Sequence, residues 1–113
     1  MSVALTLQTF EQTLASGIVV IDGWATWCGP CRAFAPVFEA ASERHPSVVF
    51  GTVDTDAEQE LAARFQIRAI PTLIVFRDGV EVFRRTGAIG ADGLDLVIDH
   101  VKALDPAASA APP

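Results

Sequence analysis

Strand-like and helix-like segments alternate along this sequence, and the alternation restricts the folds that it can adopt. The stretch IVVIDGWA (18–25) is almost continuously apolar, which is typical of a strand buried on both faces. From Pro30 to Arg44 the apolar side chains recur at spacings of three and four, which indicates a helix. Similar changes of period along the rest of the chain predict the order β-α-β-α-β-α-β-β-α. This order predicts an α/β fold in which helices cover both faces of a mixed sheet.

Shorter patterns predict the other elements. Thr9 and Gln12 have the spacing of a capping box, which predicts a short helix that ends near residue 15. Asp78-Gly79 joins two β-rich runs and predicts a tight hairpin turn. The remaining predicted elements are an edge strand, a second buried strand, a helix and a last helix, over residues 3–7, 48–53, 58–65 and 91–103.

Composition narrows the possible functions. The chain has 113 residues, of which 50% are hydrophobic and 19% charged, with a net charge of -6. That length suits one domain, which we place over residues 1–105, followed by a disordered Ala/Pro-rich tail over 106–113. The acidic balance argues against nucleic acid, whose phosphates attract clustered Lys and Arg, and does not favour an anionic membrane. The longest apolar runs are too short to cross a bilayer.

The beginning of the sequence bears on location. It has no basic start and carries Glu11 among several polar residues, so it does not resemble a signal peptide. We therefore expect a cytoplasmic protein. In that compartment structural disulfides are rare, and a Cys-X-X-Cys pair is more often catalytic or metal-binding.

The chain has two cysteines, Cys28 and Cys31, separated by two residues. A disulfide between them closes a loop so short that it stabilises the fold by only about 2 kcal/mol, so a structural bridge is a poor explanation. A zinc site needs further ligands at short spacing, whereas His45 and His100 are far apart and are more simply polar residues at helix ends. A chance pair of small core residues is the third alternative. A redox dithiol explains the pair best.

The geometry of a disulfide predicts where this dithiol lies. Residues three apart inside a helix have Cβ atoms about 5–6 Å apart, whereas a disulfide needs about 3.5–4.5 Å. We therefore expect Cys28 at the N-cap and Cys31 in the first turn. Because Pro30 has no N–H, the amide of Cys31 is the expected donor to the Cys28 sulfur. The positive helix end lowers the pKa of Cys28, as is documented for Cys-X-X-Cys proteins, so Cys28 attacks and the more shielded Cys31 resolves.

Asp22 is the one acid in an otherwise apolar strand. Burial of a carboxylate without a partner raises its pKa, so this group is a candidate general base that exchanges protons with Cys31 through a water. The alternative is an Asp at the strand end that faces solvent.

The segment Trp27-Cys28-Gly29-Pro30-Cys31 is the active-site motif of the thioredoxins, and the chain resembles that family from about Leu5 to Leu104. Further matches lie where the family has them: Asp22, Trp24-Ala25, Pro36, Ile70-Pro71-Thr72, Gly79 and Gly87-Ala88. The resemblance implies the thioredoxin fold, with a central mixed five-stranded sheet flanked by four helices. It also implies a thiol-disulfide oxidoreductase, and Gly29-Pro30 resembles the reducing branch rather than the oxidants or isomerases.

The resemblance implies roles for residues around the Cys28–Cys31 redox disulfide. The positions that would contact a client are Trp27, Gly29, Pro30, Ile70, Pro71, Gly87 and Ala88. Ile70 offers backbone groups to an extended client beside a cis bond at Pro71, a geometry that also keeps metal ions from the dithiol. The alternatives are a core position for Trp27 and a plain turn at Gly87-Ala88. Structural roles fall to Trp24, by packing, and to Pro36, by bending the helix.

The resemblance also implies the partners. The protein binds no cofactor of its own, and NADPH and FAD act through a thioredoxin reductase that restores the dithiol. We expect a monomer that exchanges disulfides with client proteins. The alternative is a binding module that uses the same surface and whose affinity depends on redox state.

Three positions depart from the pattern of many bacterial members. Gly23 replaces a bulky apolar residue, and Thr52 stands where a Lys near Asp22 is common. Arg32 replaces the usual Lys after Cys31 and keeps its charge. Without the cation at position 52, the titration of Asp22 is left open at this point.

Overall fold

A computed structural model of the chain describes residues 1–15 and 17–104. Within them the elements follow the predicted order. The strands are β1 (Val3–Ala4), β2 (Ile18–Trp24), β3 (Val49–Asp54), β4 (Thr72–Arg77) and β5 (Val80–Thr86). The helices are α1 (Phe10–Leu14), α2 (Gly29–Arg44), α3 (Gln59–Arg64) and α4 (Ala91–Ala103). The predicted tail, residues 106–113, lies outside the described residues. None of the helices described is both long and apolar enough to span a membrane.

The strands form one mixed sheet in the order β1-β3-β2-β4-β5. β1, β3 and β2 run parallel, whereas β4 is antiparallel to both β2 and β5. β2 is therefore the central strand, and within it Asp22 is paired with Thr52 of β3 on one side and with Leu73 of β4 on the other. The predicted mixed five-stranded sheet with four helices is confirmed, and Asp22 lies at its centre.

Helices cover both faces of the sheet, as predicted. Side chains of α2 and α4 pack with Val20, Phe50, Leu73 and Val75 on one face, and their buried members are Phe34, Phe38, Ala41, Leu94, Ile98 and Val101. The opposite face carries Val19, Ile21, Val53, Ile74 and Phe76, and the helical side chains packed there are Phe10, Leu14, Leu61 and Ala62. Neighbouring residues of β2 enter opposite clusters because successive strand side chains point to opposite faces. The first of these cores holds α2, and with it both cysteines, against the central strand.

The hairpin between β4 and β5 has the predicted turn. Asp78 and Gly79 both have positive φ, at 51° and 84°, which is the conformation of a two-residue turn whose twist matches the strands. Val75 is paired with Phe83 and Phe76 with Glu81, so one extra residue forms a bulge in β5.

Two local predictions were wrong. The capping box does not form, because the Thr9 hydroxyl makes no bond to the start of α1 and instead accepts the amide N–H of Thr6 at 3.1 Å. β1 covers Val3–Ala4 rather than residues 3–7, and its pairing with β3 is followed by a single further bond from the Leu5 amide to the Thr52 carbonyl. The other predicted boundaries differ from the observed ones by at most one residue.

The departure at Gly23 has a steric explanation. A Cβ built on Gly23 would lie 2.8 Å from Cδ1 and 3.2 Å from Cγ2 of Ile67. Ile67 packs against the core between the sheet and α3, so it occupies the space that a larger residue on β2 would need.

We predict that Gly23→Ala lowers the free energy of unfolding by about 1–3 kcal/mol, because the added methyl overpacks a filled core. Combining it with Ile67→Ala removes the clash, so the same substitution should have a much smaller effect in that background. Denaturant unfolding of the four proteins of this cycle measures the difference. An equal effect in both backgrounds would contradict the steric explanation.

Candidate active site

The two cysteines lie at the start of α2. Cys28 is the N-cap, with an extended backbone (φ −89°, ψ 109°), and Cys31 lies in the first turn. The Cys31 amide donates to the Cys28 sulfur at 3.2 Å. The two residues form a disulfide with their Cα atoms 5.2 Å apart. A disulfide of this kind fits because the N-cap residue leaves the helical path.

Apolar side chains surround the two cysteines. Cys28 and Cys31 are 5% and 2% exposed, and Trp24, Ala25 and Ile70 pack with them. Trp24 is half-buried in this cluster, which agrees with a packing role. Gly29 and Pro30 are exposed between the cysteines, so the apolar cluster leaves an open approach along the helix start.

The segment before β4 forms the other side of the site. The Ile70-Pro71 bond is cis, Pro71 is buried, and its carbonyl accepts the Gly87 amide at 2.8 Å. Gly87 has a φ of 94°, and Ala88 beside it is exposed. In the described part of the chain, no hydrogen bond engages the amide or carbonyl of Ile70, which is half-buried.

Trp27 is a surface residue and not part of the core. Its side chain is 68% exposed, and its indole N–H donates to Asp56 at 2.9 Å. Sequence reasoning missed Asp56, which lies in the loop after β3. The amide of Asp56 donates to the Asp54 carboxylate, a local turn that the spacing of the two acids could have indicated.

Asp22 is buried and does not face solvent. It is 3% exposed, and its Oδ1 has no hydrogen-bond partner among the described residues. Burial raises its pKa from 3.8 to about 7, because desolvation disfavours the carboxylate. A pocket of about 250 Å³ between α2 and the sheet is lined in part by Asp22, Cys31, Trp24, Arg32 and Thr52. Thus Asp22 and Cys31 share a pocket.

No cation lies opposite Asp22 on β3, because Thr52 occupies the paired position. Arg32 reaches the same pocket, and its guanidinium donates to the Thr26 carbonyl at 2.8 Å. The departure at position 52 therefore leaves desolvation as the physical cause of the raised Asp22 pKa.

Three further residues lie in the predicted segments. Pro36 lies inside α2 and is exposed. Because proline has no N–H, the helix lacks the amide hydrogen bond at this residue. His45 is the C-cap of α2 and His100 lies in the last turn of α4. Within residues 1–15 and 17–104, no group of three or more His, Cys, Asp or Glu side chains is arranged to hold a metal ion.

Comparison with known proteins assigns this site to a family. The sequence model of the thioredoxin family, described as Thioredoxin, matches residues 1–100. The chain belongs to the thioredoxin family. Its cysteine pair corresponds to a Cys-Gly-Pro-Cys active site of that family, and the protein is a thioredoxin-type disulfide oxidoreductase, a protein-disulfide reductase.

Individual thioredoxins are similar over most of the chain. A Streptomyces coelicolor protein that carries the name thioredoxin 2 is 48% identical over 105 residues, which cover 92% of this chain and 78% of that protein. A Chlamydia trachomatis thioredoxin is 42% identical, with coverage of 77% and 85%. The crystal structure of Malassezia sympodialis thioredoxin superposes with a TM-score of 0.80 at 35% identity, covering 91% of this chain and 92% of the other. The thioredoxin of Fasciola hepatica gives 0.81 at 37% identity, with coverage of 88% and 98%.

The raised pKa of Asp22 predicts a specific pH dependence of stability. Between about pH 4 and pH 7 the folded protein keeps a proton on Asp22 that the unfolded chain releases, so Asp22 lowers stability as the pH rises through this window. We expect Asp22→Asn to remove this decline. The free energy of unfolding of the variant minus that of the unchanged protein should therefore increase by about 2–4 kcal/mol from about pH 4 to pH 7.

Denaturant unfolding of the oxidised proteins across that pH range measures the effect. Asp99→Asn, which changes an exposed carboxylate of α4, is the matched control and should follow the unchanged protein. A difference between Asp22→Asn and the unchanged protein that is the same at every pH would contradict a desolvated, titrating Asp22.

Proposed function

We propose that this protein reduces disulfides of cytosolic client proteins and is returned to its dithiol form by a thioredoxin reductase. The observation that carries the proposal is the 3.2 Å bond from the Cys31 amide to the Cys28 sulfur at the start of α2. Hydrogen bonds and the positive end of a helix favour a thiolate at this position. Once the disulfide is reduced, these two effects therefore favour the thiolate form of Cys28, which is the nucleophile.

The first step is attack on the client. The Cys28 thiolate forms a bond to one sulfur of the client disulfide, and the other client sulfur leaves as a thiolate. The product is a mixed disulfide between Cys28 and the client. No electrons have left the pair of molecules at this point, because one disulfide has replaced another.

The second step releases the reduced client. Asp22 accepts the proton of the Cys31 thiol through a water in the pocket that both residues line. The Cys31 thiolate then attacks Cys28, the intramolecular disulfide forms, and the client leaves with both of its sulfurs reduced. A raised Asp22 pKa suits this exchange, because a base titrating near 7 both takes and returns a proton at neutral pH.

The surroundings of the dithiol support binding of an extended client. The free amide and carbonyl of Ile70 offer two backbone hydrogen bonds beside Pro71. The exposed ring of Trp27, together with Gly29 and Pro30, gives one wall of the groove. Gly87 and Ala88 give the other, with side chains small enough to leave room. Recognition through backbone groups suits a protein that acts on many clients.

Recycling completes the proposed cycle. The Cys28–Cys31 disulfide accepts two electrons from the reductase, which draws them from NADPH through FAD. The protein itself contributes the dithiol and holds neither cofactor. We propose that it acts in the cytoplasm as a monomer, with residues 1–105 as the functional domain.

Trapping separates the roles of the two cysteines. Cys31→Ser keeps the attacking sulfur and removes the resolving one, so it should hold clients in stable mixed disulfides. Cys28→Ser should hold none, because its remaining thiol is 2% exposed in the folded protein. Non-reducing electrophoresis of a cytosolic extract, followed by mass spectrometry of the released partners, makes the measurement. Equal trapping by the two variants would contradict the assignment of Cys28 as the nucleophile.

Two assays separate the proposed cycle from a binding module. The unchanged protein should accelerate the reduction of insulin by dithiothreitol, and the Cys28→Ser, Cys31→Ser double variant should not. With NADPH and the cognate reductase, the same protein should turn over without dithiothreitol. No acceleration of insulin reduction would favour the binding module. Acceleration with dithiothreitol, but no turnover with NADPH and the reductase, would contradict the proposed recycling partner.

A further inference from the structure

A second cluster of titratable side chains joins the C-terminal end of α2 to two positions along α4. His45, the C-cap of α2, is only 7% exposed. Its Nε2 lies 2.8 Å from Asp95 Oδ1 and its Nδ1 lies 2.9 Å from Lys102 Nζ. The cysteines lie at the opposite end of α2, which at 16 residues is about 24 Å long. The cluster is therefore separate from the redox site.

The chemistry of the partners determines the tautomer of His45. An ammonium group only donates, so Nδ1 of the ring must accept from Lys102. A carboxylate only accepts, so Nε2 must carry the hydrogen that is donated to Asp95. Arg44 donates to the same Asp95 oxygen, at 2.9 Å from Nη2 and 3.3 Å from Nε, and so holds the carboxylate in place.

This arrangement gives Lys102 a proton acceptor in direct contact. Transfer of a proton from Nζ to Nδ1 leaves a neutral amine and an imidazolium. The imidazolium keeps its bond to the Asp95 carboxylate, which Arg44 also contacts, at the C-terminal end of α2. The amine gains a free lone pair, which makes it a nucleophile.

Lys102 is also accessible and unique. The residue is exposed near the end of α4, and it is the only lysine in the sequence. We propose that Lys102 is a site of covalent acylation by acyl phosphates, with His45 as the base that frees its amine and Asp95 as the residue that positions the ring.

The reaction balances without a redox partner. His45 takes one proton from the Lys102 ammonium, and the amine attacks the carbonyl carbon of the acyl phosphate. The carbon–oxygen bond to phosphate breaks as the carbon–nitrogen bond forms. The second nitrogen proton leaves with the phosphate as hydrogen phosphate, and His45 then releases its proton to water. The product is a neutral amide at Lys102.

Acetyl phosphate is the probe for this proposal. The folded protein is treated with it near pH 7, and peptide mass spectrometry follows acetylation of Lys102 with time. The α-amino group of the same molecule serves as the internal reference for the reagent. We expect His45→Gln to slow acetylation of Lys102 by about a hundredfold, the lower end of what general bases contribute. Glutamine can hold the same two hydrogen bonds and cannot take the proton.

Three comparisons exclude a purely structural effect. His100→Gln changes the other histidine, which is exposed on α4, and should leave the rate unchanged. Asp95→Asn keeps an acceptor for Nε2 without the negative charge and should give an intermediate rate. Near pH 10.5, where an ordinary lysine is about half deprotonated by water alone, the gap between His45→Gln and the unchanged protein should close.

The outcomes decide the proposal. A slower rate in His45→Gln that closes at high pH, with insulin reduction unaffected, supports it. Equal Lys102 rates in the two proteins near pH 7, or a gap that persists unchanged at high pH, would overturn it.

Discussion

The hydrogen bond from the Cys31 amide to the Cys28 sulfur is the contact on which the site depends. It exists because Cys28 is the N-cap of α2 and because Pro30 leaves the next amide as the donor. The N-cap position of Cys28 also lets a disulfide close between residues three apart, since the N-cap residue is outside the helical path. One core packs α2 against β2, and the other packs the opposite face of β2, so opening the disulfide leaves the packing that positions both sulfurs intact.

Asp22 shows how the sheet serves the chemistry at the expense of stability. The central strand, paired on both sides, removes this carboxyl from water and leaves Oδ1 without a partner in the part of the chain described. An apolar residue would be more stable there, because a buried acid without a partner is unfavourable. The pocket shared with Cys31 gives the acid a proton partner through water. Thr52 strengthens the effect, since no cation stands at the paired position of β3.

Most of the fold and the main site residues were predictable from sequence because their causes are local. The apolar run of β2, the positive-φ turn at Asp78-Gly79 and the N-cap position of Cys28 follow from residues close together in the chain. The capping box failed because Thr6 competes for the Thr9 hydroxyl, and a spacing rule does not include that competitor.

Other parts of the structure depend on contacts between distant residues. The bond from Trp27 to Asp56 joins the loop after β2 to the loop after β3, and the clash that explains Gly23 comes from Ile67. His45, predicted as a polar residue at a helix end, is there, yet its burial between Asp95 and Lys102 depends on the packing of α4 on α2. Sequence patterns predict helices and strands well, and they predict side-chain contacts between different helices, strands and loops poorly.

Its position at the helix start makes Cys28 the nucleophile of the pair, and this inference is central to the proposed function. The most direct measurement is the order of alkylation: the reduced protein is treated with a limiting amount of iodoacetamide near neutral pH, and the modified cysteine is identified by peptide mass spectrometry. We predict that Cys28 is alkylated first and that Cys31 remains almost unmodified. Alkylation of Cys31 first, or of both cysteines at the same rate, would contradict it.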